Sequence, residues 1–524
     1  MIDIAPPHRW RNDVWWLAAS FLLTLVANAA FAPFGLMDFD HEAVLFKPAV
    51  DLVDGKMLFR ESFTQYGPIP VLLQTAAIAL FGKYILVVKL QAALCYAIAG
   101  AALFTAWRVI LPAPLAFAGI VIWNLLSYHF MHPFLAWASA YALMFQTIGL
   151  FCLMRYVDGG GRHLVVIAGA TVVLVTLSKL NIGIYFAASV GAALAWNSLV
   201  RKQPSLVVGD AVALAAGAAC VLLPYLAWLS INHAVGAWWL ANIEWPRRWA
   251  AEFGDKFDPI AIFDRLTAFR LLGNRDPFNA PAVRPGFIFV ILPACTIAAA
   301  LFLAFRGSSG AHNRAAMALC LVSLASWLQM YPVPGIGHVW WSTAPMIGLA
   351  VWLCWNLSKR RWPVFALALL ALFGPPVWSR LEYLVVERLR GERVVLSRGD
   401  NPFRGLLLAP DLARYISAVD SAVRTHIGDR HDVVLDGPNG LYLTFIRRPE
   451  FSHPLWAVPT PSIIPLAYPS FEAAYSGYIA AKHPFVISQD ALAPAFLAKH
   501  PAYKIIARAA GPTLIGPESF LILH

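Results

Sequence analysis

Eleven long apolar segments dominate the first 378 residues of the chain, and they leave few folds open to it. A helix needs about 20 mainly apolar residues to cross the hydrocarbon core of a bilayer. The segments are continuous rather than alternating, which favours spanning helices over a β-barrel. Since 59% of the 524 residues are hydrophobic and the mean hydropathy is +0.63, we predict a polytopic membrane protein. The predicted spans are Val14–Leu36, Tyr84–Ile110, Pro114–Tyr128, Phe134–Val157, Leu164–Leu180, Ile182–Leu199, Leu206–Ile231, Pro285–Phe305, Arg314–Tyr331, His338–Leu357 and Pro363–Trp378.

The net charge of +11 lies mainly in short connections between these segments. Basic residues occur in alternate connections, which is the distribution that the positive-inside rule describes. They are Arg9 and Arg11, Arg108, Arg155 and Arg162, Arg201 and Lys202, Arg306 and Arg314, and Lys359, Arg360 and Arg361. This distribution predicts a cytoplasmic N-terminus and an extracytoplasmic C-terminal part. No basic stripe with interleaved aromatic residues occurs, so nucleic acid is not predicted as a partner.

The remaining residues, 379–524, are less apolar and have the pattern of a soluble α/β domain. They contain neither Gly-x-Gly-x-x-Gly nor Gly-x-x-x-x-Gly-Lys-Ser/Thr, so the common nucleotide sites are not predicted. We therefore divide the chain into a transmembrane module (1–378) and this C-terminal domain. Its predicted helices are Pro410–Ile427, Phe471–Lys482 and Ala491–His500, and its predicted strands are Val433–Asp436, Leu441–Ile446, Phe485–Ser488 and Leu521–Leu523.

An unusual density of acidic residues follows the first predicted span. Six of the sixteen acidic residues before position 380 lie between Asp38 and Glu61. Asp38, Asp40 and Glu42 alternate, so in an extended segment they would share one side. Grouped carboxylates provide a general base, or oxygen ligands for a divalent cation such as Mg²⁺ or Mn²⁺. A solvated loop with helix-capping acids is the alternative interpretation.

We call residues 37–83 the acidic loop. Its second part, from Pro68 to Phe81, is apolar but too short to span a bilayer. Because prolines begin this stretch and do not suit a helix interior, we predict a helix lying at the outer membrane interface.

The sequence of the acidic loop resembles that of the GT-C membrane glycosyltransferases, relatives of protein mannosyltransferases and aminoarabinose transferases. The resemblance rests on Asp38-Phe-Asp-His-Glu42, Asp54-Gly-Lys-Met-Leu-Phe-Arg60 and Phe63-Thr-Gln-Tyr-Gly-Pro68. Ser178-Lys-Leu-Asn-Ile-Gly183 is similar to a further turn of that family. Tyr331-Pro-Val-Pro-Gly-Ile-Gly-His338 is similar to another, although Val333 and Gly335 stand where relatives often have Arg and Asp.

The resemblance implies an inverting glycosyltransferase with the GT-C fold. Such an enzyme takes a sugar from a polyprenyl-phosphate donor and transfers it to a glycan, lipid or protein of the cell envelope. It acts at the outer face of the bacterial inner membrane. The resemblance implies Asp40 as the base, with Asp38 and Glu42 as the other candidates for catalysis or metal binding. His41 separates Asp40 from Glu42, a departure from the family's acidic pair.

Groups that could bind the donor phosphate or sugar are Arg60, Gln65, Tyr66, Lys179, Arg247, Arg248 and His338. Three of the basic residues have a structural alternative. Lys179 is placed where a lysine snorkels to the interface, and Arg247 and Arg248 lie beside tryptophans that anchor proteins at membrane interfaces. Gln65 and Tyr66 precede Gly67-Pro68, where a turn role is equally expected.

Three other functions remain open. A lipid-linked glycan transporter or flippase would place ionisable groups deep within the spans. A polysaccharide ligase or polymerase would use the long Asn232–Arg284 connection. A scaffold without enzymatic activity would leave the acidic residues without a function.

Overall fold

The computed structural model describes residues 10–36, 39–130, 132–253, 283–306, 310–329, 336–385, 392–396, 401–436, 440–446, 451, 470–511 and 519–524. Among these residues, fifteen α-helices form the part before residue 384, and they are followed by a smaller region of helices and strands. The helices are α1 (Trp10–Ala29), α2 (Phe39–Val53), α3 (Pro68–Phe81), α4 (Ile85–Trp107), α5 (Ala113–Leu125), α6 (Ala138–Val157), α7 (His163–Thr176), α8 (Leu180–Arg201), α9 (Ser205–Ile231), α10 (Val235–Trp239), α11 (Trp245–Phe253), α12 (Val283–Arg306), α13 (Ala311–Leu328), α14 (Ile336–Leu357) and α15 (Trp362–Tyr383).

Every predicted span falls on one of these helices, although not every helix is long and apolar enough to cross a membrane. By length and composition, the described residues contain six that are: Ile85–Trp107, Ala113–Phe130, Ala138–Val157, Leu180–Arg201, Ser205–Ile231 and Trp362–Glu382. The number of eleven spans therefore stays a prediction. α7, for example, has only 14 residues, fewer than a bilayer crossing requires.

The surface of α9 shows why a membrane is needed. Val208, Leu223 and Ile231 on this helix are 68%, 62% and 76% exposed. A helix that presents so many large apolar side chains outward is stable in lipid rather than in water. Its inner side packs closely on α7, because a Cβ at Gly217 would lie 1.8 Å from the Val166 carbonyl oxygen.

The acidic loop forms two helices, α2 and α3, as well as the connection between them. The helix predicted from Pro68 to Phe81 is present with those bounds. α2 packs against α3, and buried ionic contacts hold the connection in place. Asp51 accepts a hydrogen bond of 2.7 Å from Ser62 and pairs with Lys47 and with Lys56, the latter at 3.4 Å. Burial alone would raise the pKa of Asp51, but the two lysines outweigh it and lower that pKa.

The C-terminal region contains a four-stranded sheet with the order β3-β4-β6-β5. β3 and β4 are parallel, with Val434 opposite Val486, whereas β6 is antiparallel to both of its neighbours. A separate antiparallel pair, β1 and β2, aligns Val394 with Leu408. The elements are β1 (Val394–Val395), β2 (Leu407–Leu408), α16 (Pro410–His426), β3 (Val433–Leu435), α17 (Phe471–Lys482), β4 (Phe485–Ser488), α18 (Ala493–Lys499), β5 (Ile505–Ala509) and β6 (Phe520–Leu523).

One predicted strand of this region is wrong, and three observed strands, β1, β2 and β5, were not predicted. Gly440–Phe445 is a 3₁₀ helix, not the strand expected over Leu441–Ile446. Leu441, Tyr442 and Leu443 are all buried, and consecutive burial suits a helical turn rather than the alternating faces of a strand. β5 is an edge strand with mostly exposed residues, so it lacks the apolar run that marks the other strands.

Candidate functional site

The acidic residues at the start of the loop lie on a helix, not on an extended segment. α2 begins at Phe39, so Asp40 and Glu42 occupy its first turn. Asp38 and the side chain of Asp40 lie outside the described residues. The prediction that Asp38, Asp40 and Glu42 share one side of an extended segment is therefore wrong for Asp40 and Glu42. Residues two apart on a helix point in widely different directions.

Glu42 points away from solvent into a buried ion pair. Its Oε1 lies 2.8 Å from Nζ of Lys89 in α4, and the two side chains are 2% and 0% exposed. Lys89 also donates a hydrogen bond of 3.0 Å to the carbonyl of Gly35. These two contacts connect the first turn of α2 to α4 and to Gly35, which lies in the segment between α1 and α2. Glu42 thus has a structural partner that the sequence analysis did not identify.

Three other acids of the loop also have structural partners. Asp51 lies in the network of Lys47, Lys56 and Ser62, and Asp54 pairs with Lys83 at 2.5 Å. Glu61 accepts a hydrogen bond of 2.7 Å from the backbone N–H of Met57. The loop's high acid density therefore arises partly from its own folding.

Two of the motifs noted in the sequence lie directly against each other. Gly67 lies so close to the end of α7 that a Cβ there would be 1.9 Å from the Leu177 carbonyl oxygen. The same carbonyl accepts a hydrogen bond of 3.1 Å from the N–H of Ile69. Only glycine fits at this contact. The contact places the Gln65-Tyr-Gly-Pro68 segment against the Ser178–Gly183 turn.

Lys179 and Tyr66 meet at this contact. Nζ of Lys179 lies 5.8 Å from the centre of the Tyr66 ring, a cation–π distance, and donates a hydrogen bond of 3.1 Å to Oγ of Ser139. Burial lowers the pKa of Lys179 to about 8 and raises the pKa of Tyr66 far above its ordinary value. Within the described part of the chain, Lys179 has no carboxylate partner.

Trp137 connects this lysine to the acidic segment. The ring of Trp137 lies 5.1 Å from Tyr66, edge to face, and 5.5 Å from His41 of α2. We call Tyr66, Trp137, Ser139 and Lys179 the lysine cluster. Trp137, Ser139 and His41 were not predicted as site residues. Trp137 and Ser139 lie in the predicted span Phe134–Val157, and no signal in the sequence pointed to their role, because contacts between residues so far apart in sequence leave no local pattern.

The connection after α9 covers the other side of the acidic loop. Nε1 of Trp245 donates a hydrogen bond of 3.2 Å to Oε1 of Gln65, and its ring lies 5.6 Å from Phe63. Arg60 donates a hydrogen bond of 3.1 Å to the carbonyl of Asn232. Gln65 and Arg60 thus fasten this connection to the loop, while the next residue, Tyr66, faces the lysine cluster.

The other predicted phosphate-binding residues lie elsewhere. Arg247 and Arg248, on the exposed side of α11, lie 3.2 Å and 3.7 Å from Oε2 of Glu244. His338, at the start of α14, lies with its ring 5.6 Å from Trp341.

A metal site of Asp38, Asp40 and Glu42 is restricted by the pairing of Glu42. Among the described residues, no group of three His, Cys, Asp or Glu side chains could hold a metal ion. Glu42 could be a metal ligand only if its ion pair with Lys89 were broken. A cation at the acidic segment would therefore take its ligands from Asp38 and Asp40.

Solved structures with a similar fold are known. The oligosaccharyltransferase of Archaeoglobus fulgidus, solved with Zn and sulfate, aligns over 90% of this chain and 68% of its own, with 15% identity and a TM-score of 0.54. The oligosaccharyltransferase AglB of the same organism, solved with an inhibitory peptide and a dolichol-phosphate, aligns over 92% of this chain and 70% of its own, with 12% identity and a TM-score of 0.51. ArnT from Cupriavidus metallidurans, bound to undecaprenyl phosphate, aligns over 98% of both chains, with 13% identity and a TM-score of 0.52.

No protein-family model and no curated protein sequence matches the chain. At identities of 12–15%, the likeness to these structures concerns the fold. The similarity extends over the membrane helices and the C-terminal region, since almost the whole of both chains aligns with ArnT. The chain therefore has the fold of the GT-C membrane glycosyltransferases.

Proposed function

We propose that this protein is an inverting glycosyltransferase that moves one sugar from a polyprenyl-phosphate donor to an acceptor of the cell envelope. The reaction takes place at the outer face of a bacterial inner membrane, on the side of the acidic loop. The acceptor is a glycan, lipid or protein. ArnT and AglB, which have this fold, were solved with undecaprenyl phosphate and a dolichol-phosphate, and this supports a lipid phosphate as the ligand.

Lys179 is the observation that carries the proposal. It is a partly buried ammonium group that donates a hydrogen bond to Oγ of Ser139, and among the described residues it has no carboxylate partner. A buried charge without a counter-charge is unfavourable unless a ligand neutralises it. A phosphate oxygen would supply that charge, and Tyr66 beside it offers a neutral hydroxyl because burial raises its pKa.

In the proposed reaction, the α2 residues on one side of Trp137 and the lysine cluster on the other side have different roles. On the α2 side, the Asp40 carboxylate accepts the proton of an acceptor hydroxyl as its oxygen forms a bond to the anomeric carbon. The bond from that carbon to the phosphate oxygen breaks, and the electron pair leaves with the lipid phosphate. On the cluster side, the Lys179 ammonium stabilises the charge that develops on this oxygen. Attack opposite the leaving group inverts the anomeric carbon.

A divalent cation held by Asp38 and Asp40 is compatible with the acidic segment. Both are oxygen donors of the kind that Mg²⁺ and Mn²⁺ prefer. Such a cation would add positive charge near the phosphate. The archaeal oligosaccharyltransferase of similar fold was solved with Zn, so the transfer experiment described below includes EDTA to test whether a cation is required.

A transporter is less well supported, because the buried ionisable groups of two helices have structural partners near the helix ends. Lys89, in the second turn of α4, pairs with Glu42. Asp210, in the second turn of α9, accepts a hydrogen bond of 2.5 Å from Tyr156 and lies 3.5 Å from Arg162. These pairs connect neighbouring helices and provide no path of charges across the bundle.

Sugar transfer by the purified protein tests the proposal. Radiolabelled polyprenyl-phosphate sugars are incubated with a cell-envelope extract and with wild type, Asp40→Asn or Asp38→Asn, with and without EDTA. Asp54→Asn is the matched control, since Asp54 belongs to the same loop but pairs with Lys83. We expect Asp40→Asn to reduce transfer at least about 100-fold, as loss of a general base does, and the control to stay active.

The alternative outcomes are distinct. Loss of transfer only in Asp38→Asn would assign the base to Asp38, and loss on adding EDTA would establish the cation. Equal transfer in all variants would remove the acidic segment from the mechanism. Movement of the lipid across the membrane without any transfer would contradict the proposal and favour the transporter.

A further inference from the structure

Phe39, the residue before Asp40, is buried in an aromatic pocket that the C-terminal region provides. Its ring is stacked on Tyr442 at 5.2 Å, and it lies 5.7 Å from Phe403 and 6.1 Å from Tyr415. Only 2% of the Phe39 side chain is exposed. Aromatic rings in such contact contribute beyond the area that they bury, so this is a strong attachment of α2 to another part of the molecule.

The pocket is itself fixed within the C-terminal region. The hydroxyl groups of Tyr415 and Tyr442 form a buried hydrogen bond, which joins α16 to the 3₁₀ helix. The ring of Tyr442 also lies 5.1 Å from Phe520 in β6, a central strand of the sheet. The position of Phe39 therefore depends on the core of the C-terminal region and not only on α2.

Backbone hydrogen bonds attach the same region to both flanks of the acidic loop. Leu407 donates to the carbonyl of Pro33 at 2.7 Å and accepts from the N–H of Gly35 at 2.9 Å. Beyond the loop, Ile85 donates to the carbonyl of Pro402 at 2.8 Å. The chain entering the loop and the chain leaving it are thus held by one short segment, residues 402–407.

We propose that the C-terminal region is a positioning device for the acidic segment, and that Phe39 is its positioning residue. The proposal rests on the proposed function, since it assigns the placement of Asp40 to the aromatic pocket. Residues next to one another in a helix move together, so a Phe39 ring that leaves its pocket displaces the backbone of Asp40. A shift of about 1 Å at a reacting group lowers a rate up to about 100-fold.

The experiment compares Phe39→Leu and Tyr442→Leu with Phe496→Leu. Phe496 is a matched control, because it is a buried phenylalanine of the same region that contacts His500 and Tyr503, not α2. Hydrogen exchange of the amides of α2 is measured by mass spectrometry, and kcat and the donor KM are measured for sugar transfer. We expect faster exchange in α2 and a kcat about 10- to 100-fold lower in the first two variants. The donor KM is expected to change less than about twofold, since the lysine cluster is intact.

Unchanged α2 exchange and unchanged kcat in Phe39→Leu would overturn the proposal, as would an equal fall of kcat in Phe496→Leu. A purely structural role would lower the yield and melting temperature of all three variants and leave kcat per folded molecule unchanged. The exchange measurement needs no substrate. Absence of transfer by wild type would therefore contradict the proposed function, while the α2 exchange rates would still decide whether the pocket positions the acidic segment.

Discussion

Glu42 and Lys89 form the ion pair that fixes the first turn of α2, and both side chains are almost fully buried. Lys89→Met leaves the Glu42 carboxylate buried without its ammonium partner, which costs about 3–5 kcal/mol in folding stability. We expect the double variant Glu42→Gln/Lys89→Met to regain much of this loss. Thermal unfolding in detergent measures it. Arg414→Met is the control, since Arg414 and its partner Asp411 are 76% and 58% exposed, and the loss of such a pair should cost less than about 1 kcal/mol. Equal losses in Lys89→Met and Arg414→Met would contradict the assignment.

Lys179 makes ligand binding depend on pH. Burial lowers its pKa to about 8, below the value of about 10.4 of an unfolded lysine. Between these values the unfolded chain holds more protons, so this residue's unfavourable effect on stability is greatest below pH 8 and fades as the pH rises.

Binding shows the opposite trend, because only the ammonium form attracts phosphate. Between pH 7.5 and 9.5 a phosphate monoester keeps its charge, since its second pKa is about 6. We expect the affinity for undecaprenyl phosphate to fall above pH 8 in wild type and to stay nearly constant in Lys179→Arg. An affinity that falls equally in both proteins would assign the pH dependence to another group.

Local patterns predict which residues carry charge but not which of them meet. The sequence analysis included Tyr66 and Lys179 among seven ligand candidates, but their contact joins positions 113 residues apart and has no local signature. It treated Glu42 as a catalytic candidate because the buried partner, Lys89, lies in the next apolar segment. Trp137 and Ser139 were not predicted, since a tryptophan and a serine do not stand out in an apolar segment such as the predicted span Phe134–Val157.

At the level of elements, the contact between the acidic loop and the end of α7 builds the lysine cluster. Gly67→Ala would place a methyl group 1.9 Å from a backbone oxygen, so the loop has to move. We expect a loss of about 1–3 kcal/mol in stability and weaker binding of undecaprenyl phosphate. The matched control is Gly191→Ala in α8, where nothing lies within 4 Å of the new Cβ. Its stability should change by less than about 1 kcal/mol. If Gly67→Ala binds the lipid like wild type, the contact does not build the site.

The bounds of most elements follow from the sequence, because long apolar runs and prolines mark them. α3 begins at Pro68 and α16 begins at Pro410, as predicted. The shared side of Asp38, Asp40 and Glu42 was predicted for an extended segment, whereas Asp40 and Glu42 lie on a helix. The acidic residues of this segment alternate as they would on one face of a strand. Phe39, the apolar residue between Asp38 and Asp40, begins α2 and packs against Tyr442. This contact joins positions more than 360 residues apart, so the local pattern contains no signal of it.

On the scale of the whole molecule, the contact of Phe39 with Tyr442 joins the acidic loop to the C-terminal region, and the predicted topology puts both on one side of the membrane. We expect cysteines introduced at the exposed Asp429 or Glu472 to react with an impermeant maleimide on intact spheroplasts. Cysteines at the exposed Lys202 or Arg361 should react only after permeabilisation. The background carries Cys220→Ala, which removes the exposed native cysteine. Labelling of all four positions from one side would contradict the predicted topology.

The overall fold was anticipated through the resemblance of about thirty residues in the acidic loop to the GT-C family, and the solved structures agree with it. Composition alone predicts a helical membrane protein but not its arrangement. The attachment of the C-terminal region to the acidic loop could not be predicted, because it depends on single aromatic residues such as Phe39 and Phe403 that also suit any apolar core.

The most direct test of the account is the affinity of the purified protein for undecaprenyl phosphate at pH 7.5, compared among wild type, Lys179→Met and Lys202→Met. Methionine keeps the length of the side chain and removes the buried charge, whereas Lys202 is an exposed lysine at the other end of α8. Loss of a charge-assisted contact of about 1.5–3 kcal/mol predicts binding about 10- to 100-fold weaker in Lys179→Met alone. Equal affinity in all three proteins would contradict the assignment of the lysine cluster to the lipid phosphate.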